Sequence, residues 1–110
     1  MADFTVEELT ALLAAVRIEL DISWEDESLD KKLTRFIKSG RIYIDDKTGT
    51  EQDYTVEGEA QSLLFNYVRY CRSGALEMFW PNYRHELMAL RLESGVTAYE
   101  AEESAEESDV

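Results

Sequence analysis

Few residues in this chain are of a type that does chemistry. Cys71 is the single cysteine and His85 the single imidazole. A nucleophilic thiol needs a positive, partly exposed setting that favours the thiolate. Arg69 and Arg72 are close by in sequence, but Cys71 falls on the apolar face of a helical pattern, where a thiol acts as a small hydrophobe. No Cys-His or Ser-His-Asp arrangement follows from the spacing, and His85 reads as a helical surface residue. One cysteine also excludes an internal disulfide and a Cys-rich zinc site.

Carboxylates are abundant but poorly arranged for a metal. Asp21, Glu25, Asp26, Glu27 and Asp30 lack the Asp-x-Asp-x-Asp-Gly run and the distal Glu of a calcium loop. The adjacent pairs Asp45-Asp46 and Glu102-Glu103 diverge on a helix. No glycine-rich phosphate cradle occurs, since Thr48-Gly49-Thr50 reads as a helix end and a turn. The sequence therefore assigns no catalytic, cofactor-binding or metal-ligating residue.

What the chain has in surplus is aromatic and basic residues on helices. Tyr67, Tyr70, Phe79, Trp80 and Tyr83 cover more than one helix face. Tyr43, Tyr67 and Phe79 fit core packing. Tyr70, Trp80 and Tyr83 fit contact anchors, because Tyr, Trp and Arg dominate interface energies. Lys31, Lys32, Arg35, Lys38 and Arg41 punctuate one long helix of an otherwise acidic chain. Of these, Lys32, Arg35 and Arg41 are expected to face acids of a neighbouring copy, in head-to-tail contacts that close into rings.

These residues are carried by elements that read as helical throughout. Thr5 and Glu8 make a capping box ahead of Leu9, Leu12, Leu13 and Val16, predicting a helix over 6–16. The alternation over 17–22 predicts an extended linker. Ser23 and Asp26 form a second capping pair. A long helix follows with Leu29, Leu33, Phe36, Ile37, Gly40, Tyr43 and Ile44 at a 3–4 spacing on its apolar face, ending at Gly49. Gly40 in mid-helix marks a close approach of another backbone.

A third helix is predicted from 55–59 to Gly74, with Ala60, Leu63, Leu64, Tyr67, Val68 and Cys71 inward. A short helical piece spans 75–79. Pro81 is expected to push Trp80 out of helical geometry. Asn82 then caps a last helix over 83–92 with Leu87, Met88 and Leu90 inward. The predicted class is all-α, a small bundle of four to five helices.

Length and charge set the frame. The 110 residues make one domain, and 45% hydrophobic content supplies a core. Net charge is −13, and six acids with no base fall in 94–110. That segment is expected to be a flexible acidic tail after a helical domain over 1–93. Such acidity disfavours binding to nucleic acid or to an anionic membrane surface. No apolar run is long enough to span a membrane, and residues 1–4 carry no basic-then-apolar signal pattern.

Three stretches carry a family resemblance: residues 20–27 (Leu-Asp-Ile-Ser-Trp-Glu-Asp-Glu), Asp30-Lys31-Lys32-Leu33, and Ile37 to Gly40 followed by Tyr43-Ile44 and Thr48-Gly49. Together they resemble the opening pattern of the small head–tail connector (adaptor) proteins of long-tailed bacteriophages and prophages. Residues 60–70 and 82–92 are similar to connectors of Gram-positive phages. The resemblance implies a non-enzymatic helical subunit that assembles into a ring beneath the portal, without cofactor. The ring extends the DNA channel and offers a surface to a stopper or tail-completion protein. DNA passes without sequence-specific binding, helped by an acidic lining. It places the chain at the head–tail interface of the virion, and in the bacterial host cytoplasm during assembly. A different class fits the charge alone: a small acidic regulator, or a DNA-mimic inhibitor of a basic protein.

Overall fold

A computed structural model describes the backbone of residues 3–108 and the side chains of residues 3–95. Four α-helices run in the order α1 (Val6–Glu19), α2 (Glu27–Thr48), α3 (Glu59–Arg72) and α4 (Phe79–Ser108), with a single 3-10 turn at Leu76–Met78. No strand occurs among the described residues. The expected all-helical class is the one observed. The acidic segment 94–110 lies, apart from Ser94 and Gly95, outside the residues with described side chains.

Helix α1 starts where the capping box puts it. The Glu8 amide donates to Thr5 Oγ1 at 3.1 Å and the Thr5 amide donates to Glu8 Oε1 at 2.8 Å. It continues to Glu19, three residues past the expected end, so residues 17–19 are helical and not extended. The reason is the stripe Leu12, Val16, Leu20, whose i, i+4, i+8 spacing keeps meeting the core. Ile18, which alternation assigns to the same side as Leu20 and Ile22, is exposed instead. Asp21, at φ 56°, turns the chain. The Arg17 guanidinium then ties α1 to α2 through Asp30, at 3.1 and 3.2 Å, and through the Trp24 carbonyl.

Helix α2 is the axle of the bundle, packing against all three other helices. Its cap is Asp26 alone, whose Oδ1 accepts from the Leu29 amide at 3.1 Å; the expected Ser23–Asp26 pair does not form, because the helix begins at Glu27. At the other end Gly49 takes φ 75°, and its amide donates to the Asp45 carbonyl at 2.8 Å. Leu33, Ile37, Gly40 and Ile44 are buried along one face. A Cβ at Gly40 would sit 2.6 Å from Leu64 Cδ1 and 2.9 Å from Tyr67 Cδ1. The close approach is therefore to side chains of α3, not to its backbone.

Helix α3 buries Ala60, Leu63, Leu64, Tyr67 and Val68, as the spacing predicts, with Cys71 half-buried. Gly74 at φ 69° ends it, the Ala75 amide donating back to the Tyr70 carbonyl at 2.9 Å. Helix α4 then begins at Phe79 rather than after Asn82. Trp80 is helical despite Pro81, because Pro81 lies in the first turn, where its missing N–H has no intrahelical partner to lose. Leu87 and Leu90 close the core from this side, with Met88 half-buried.

Candidate interaction surface

The aromatic residues converge where α2, α3 and α4 meet. Phe79, 1% exposed, is the hub. Its ring lies 5.7 Å from Tyr43, 5.3 Å from Tyr67 and 5.7 Å from Tyr70, all edge-on, and 4.9 Å from Tyr83, stacked. Tyr67 is buried and its hydroxyl lies 2.9 Å from Ser39 Oγ. Burial, and next the neighbouring Tyr67, push the Tyr43 hydroxyl pKa up; burial does the same for Tyr67, against the Ser39 hydrogen bond.

The three expected anchors divide. Tyr70 and Tyr83 are half-buried on the rim of this cluster, 5.5 Å apart, with Asn82 Nδ2 donating to Tyr70 OH at 3.0 Å. Burial first, then Tyr70, raises the pKa of Tyr83. Trp80 points outward, 38% exposed, with Lys47 Nζ 4.9 Å above its ring and 5.4 Å from that of Tyr43. Leu76 and Met78, just before it, are also exposed. The turn at 76–78 and the start of α4 thus expose three large apolar side chains around the buried Phe79.

The bases of α2 divide as well. Lys31, Lys32, Arg35 and Lys38 are exposed, and none forms an ion pair among the described residues. Arg41, expected beside Lys32 and Arg35 at an interface, is instead buried. Its Nη1 lies 3.7 Å from Asp45 Oδ2 and its Nη2 3.5 Å from Asp3 Oδ1, while the Phe4 ring covers it at 5.6 Å. Its Nε and Nη1 have no hydrogen-bond partner among the described residues. Asp45 Oδ1 accepts from Tyr54 OH at 2.6 Å and from the Gln52 amide at 3.0 Å. Burial above all, then this bond and the Asp45 charge, drives the Tyr54 pKa far up, against the opposing pull of Arg41. The signal was available: Arg41 follows Ile37 by four residues and precedes Ile44 and Thr48 by three and seven, which places it on the buried stripe.

Between the two faces lies an open groove of about 910 Å³ lined by Arg35, Lys38, Ile42, Tyr43, Asp46 and Tyr67, among others. Ile42, 55% exposed, was not singled out by the sequence reading. It breaks the buried pattern of α2 by sharing a stripe with Lys31, Arg35 and Lys38.

Elsewhere the chemistry is sparse. Burial pushes the Cys71 thiol pKa up, against a lowering hydrogen bond from Tyr67, the direction opposite to nucleophile activation. His85 is exposed on α4. Among the described residues no group of His, Cys, Asp and Glu is placed to hold a metal ion, and no helix is long and apolar enough to cross a membrane. No protein-family model, curated protein or solved structure matches this chain.

Proposed function

We propose that this chain is a structural adaptor of a long-tailed phage or prophage, forming a ring between the portal and a stopper or tail-completion protein. The observation that carries this reading is the exposure of Leu76, Met78 and Trp80 around the Phe79 ring cluster, together with a basic stripe on α2 that has no ion-pair partner among the described residues. Exposed large apolar side chains on the same small domain as charge that finds no partner among the described residues have the composition of a contact surface. The resemblance over residues 20–49, 60–70 and 82–92 supplies the particular assembly.

On this reading the site is a set of helix faces and no substrate is transformed. Bases on α2 meet acids of the adjacent copy, Trp80 anchors a partner, and the net charge of −13 keeps passing DNA from adhering to the channel. The chain acts at the head–tail interface of the virion and is built in the host cytoplasm. The test is co-assembly: the full chain is mixed with a purified portal ring of a long-tailed phage, and the mass of the product is measured by light scattering. A multi-copy complex with portal is expected. A chain that stays monomeric and ignores portal overturns the reading.

A further inference from the structure

We infer that the basic stripe of α2 is a docking site for the acidic 94–110 segment of a second copy of this chain, an inference that rests on the ring reading only in supplying the neighbour. Lys31, Arg35, Lys38 and Ile42 follow one another by four, three and four residues along one exposed face. Read in the opposite direction, Tyr99, Glu103 and Glu106 follow by four and three. Laid antiparallel, Tyr99 meets Ile42 in the groove, Glu103 meets Lys38 and Glu106 meets Arg35. Glu107 and Asp109 add negative charge beside Lys31 and Lys32. The acids at the far end of the groove, Asp46 and Glu51, lie beyond Ile42 and oppose any shift of the segment toward them.

The occupant is a neighbour's segment because α4 leads its own one away. Phe79 packs at Tyr43, the Arg91 guanidinium donates to the Lys47 carbonyl at 3.3 Å, and Gln52 Nε2 donates to Ser94 Oγ at 3.0 Å. Helix α4 therefore travels in the same sense as α2 and passes its Gly49 end before running on to Ser108. Lys31 stands at the opposite end of α2, roughly 27 Å from Gly49 at 1.5 Å per residue. A head-to-tail contact of this kind is heterologous and propagates around a ring.

Isotope-mixed cross-linking tests the inference. Heavy-isotope and ordinary full-length chains are mixed at millimolar concentration and low salt, then treated with a carbodiimide that joins amines to carboxylates in direct contact. Links from Lys31, Lys32 or Lys38 to Glu102, Glu103, Glu106 or Glu107 are expected in heavy–light pairs. Combining Lys31→Gln, Arg35→Gln and Lys38→Gln should leave the fold intact, because all three are exposed, and weaken the contact about tenfold, read as yield of links from Lys32. A charge swap, Arg35→Glu and Lys38→Glu with Glu103→Lys and Glu106→Lys, should restore mixed-pair association. Links confined to single chains, unaffected by neutralisation, or absent altogether overturn the inference. If they fail while the chain still joins a portal ring, the ring reading survives; if the links form but portal is ignored, the inference survives without it.

Discussion

The two faces of α2 carry the same kind of residue to opposite ends. On one, Arg41 is enclosed between Asp3, Asp45 and the Phe4 ring, and serves to fasten the N-terminal segment and the 50–55 connection to the bundle. On the other, Arg35 and Lys38 sit six and three residues earlier, exposed and without an ion pair among the described residues. A charge taken out of water must be matched on the spot, whereas a charge left in water remains free to match something else. Charge alone therefore says little about a helix face; its stripe says which role it takes.

The same division recurs between neighbours at the start of α4, and the largest expected effect tests it there. Phe79→Ala removes the hub of five rings and should cost about 4 kcal/mol in chemical denaturation. On α2, Arg41→Ala leaves Asp45 buried without its cation and should cost about 3 kcal/mol. Arg35→Ala and Lys38→Ala should each stay within about 0.5 kcal/mol by the same measurement. If Arg41→Ala and Arg35→Ala proved equally mild, the contrast between the faces would collapse.

Tyr54→Phe sharpens the buried face. Losing its 2.6 Å bond to Asp45 leaves a buried carboxylate short of one donor, for about 1.5 kcal/mol. The variant also has a signature in pH. Tyr54 has its pKa raised in the folded state above the ordinary value of 10.0, so its contribution is fully present below pH 10 and is lost as pH rises past it. Stability should therefore fall above pH 10 in the parent, and fall less steeply in Tyr54→Phe. Tyr43, Tyr67 and Tyr83 are shifted the same way and leave a residual slope.

Much of this architecture was legible before any coordinates. The Thr5–Glu8 box, the stripe of α3 and the left-handed Gly49 are local events whose causes lie within a few residues. What escaped depends on tertiary contact. Residues 17–19 look extended because alternation over six residues cannot say whether a strand partner exists, while Leu20 meeting the core is decided elsewhere. Trp80 looks non-helical because a following proline disfavours that geometry, yet Phe79 docking in the core draws the helix start back to itself. Asn82, freed from capping, donates to Tyr70 instead. Arg41 shares its charge with Arg35 and Lys38 but its stripe with the buried Ile37 and Ile44, and the stripe decides its place.

Trp80→Ala is a smaller change in stability than any of the buried-site variants and the most telling about function. The ring lies outside the Phe79 hub, and its one described partner is the Lys47 ammonium at 4.9 Å. Such an exposed contact is worth about 0.5–1 kcal/mol, so the denaturation midpoint should scarcely move. A side chain that contributes so little to its own fold, flanked by exposed Leu76 and Met78, is free to act on a partner. Co-assembly with portal should therefore fall far more than stability, and Phe79→Ala should show the reverse order of effects at temperatures where it stays folded. Should Trp80→Ala lower stability as much as it lowers assembly, Trp80 belongs to the core after all, and the outward edge of α4 loses its anchor.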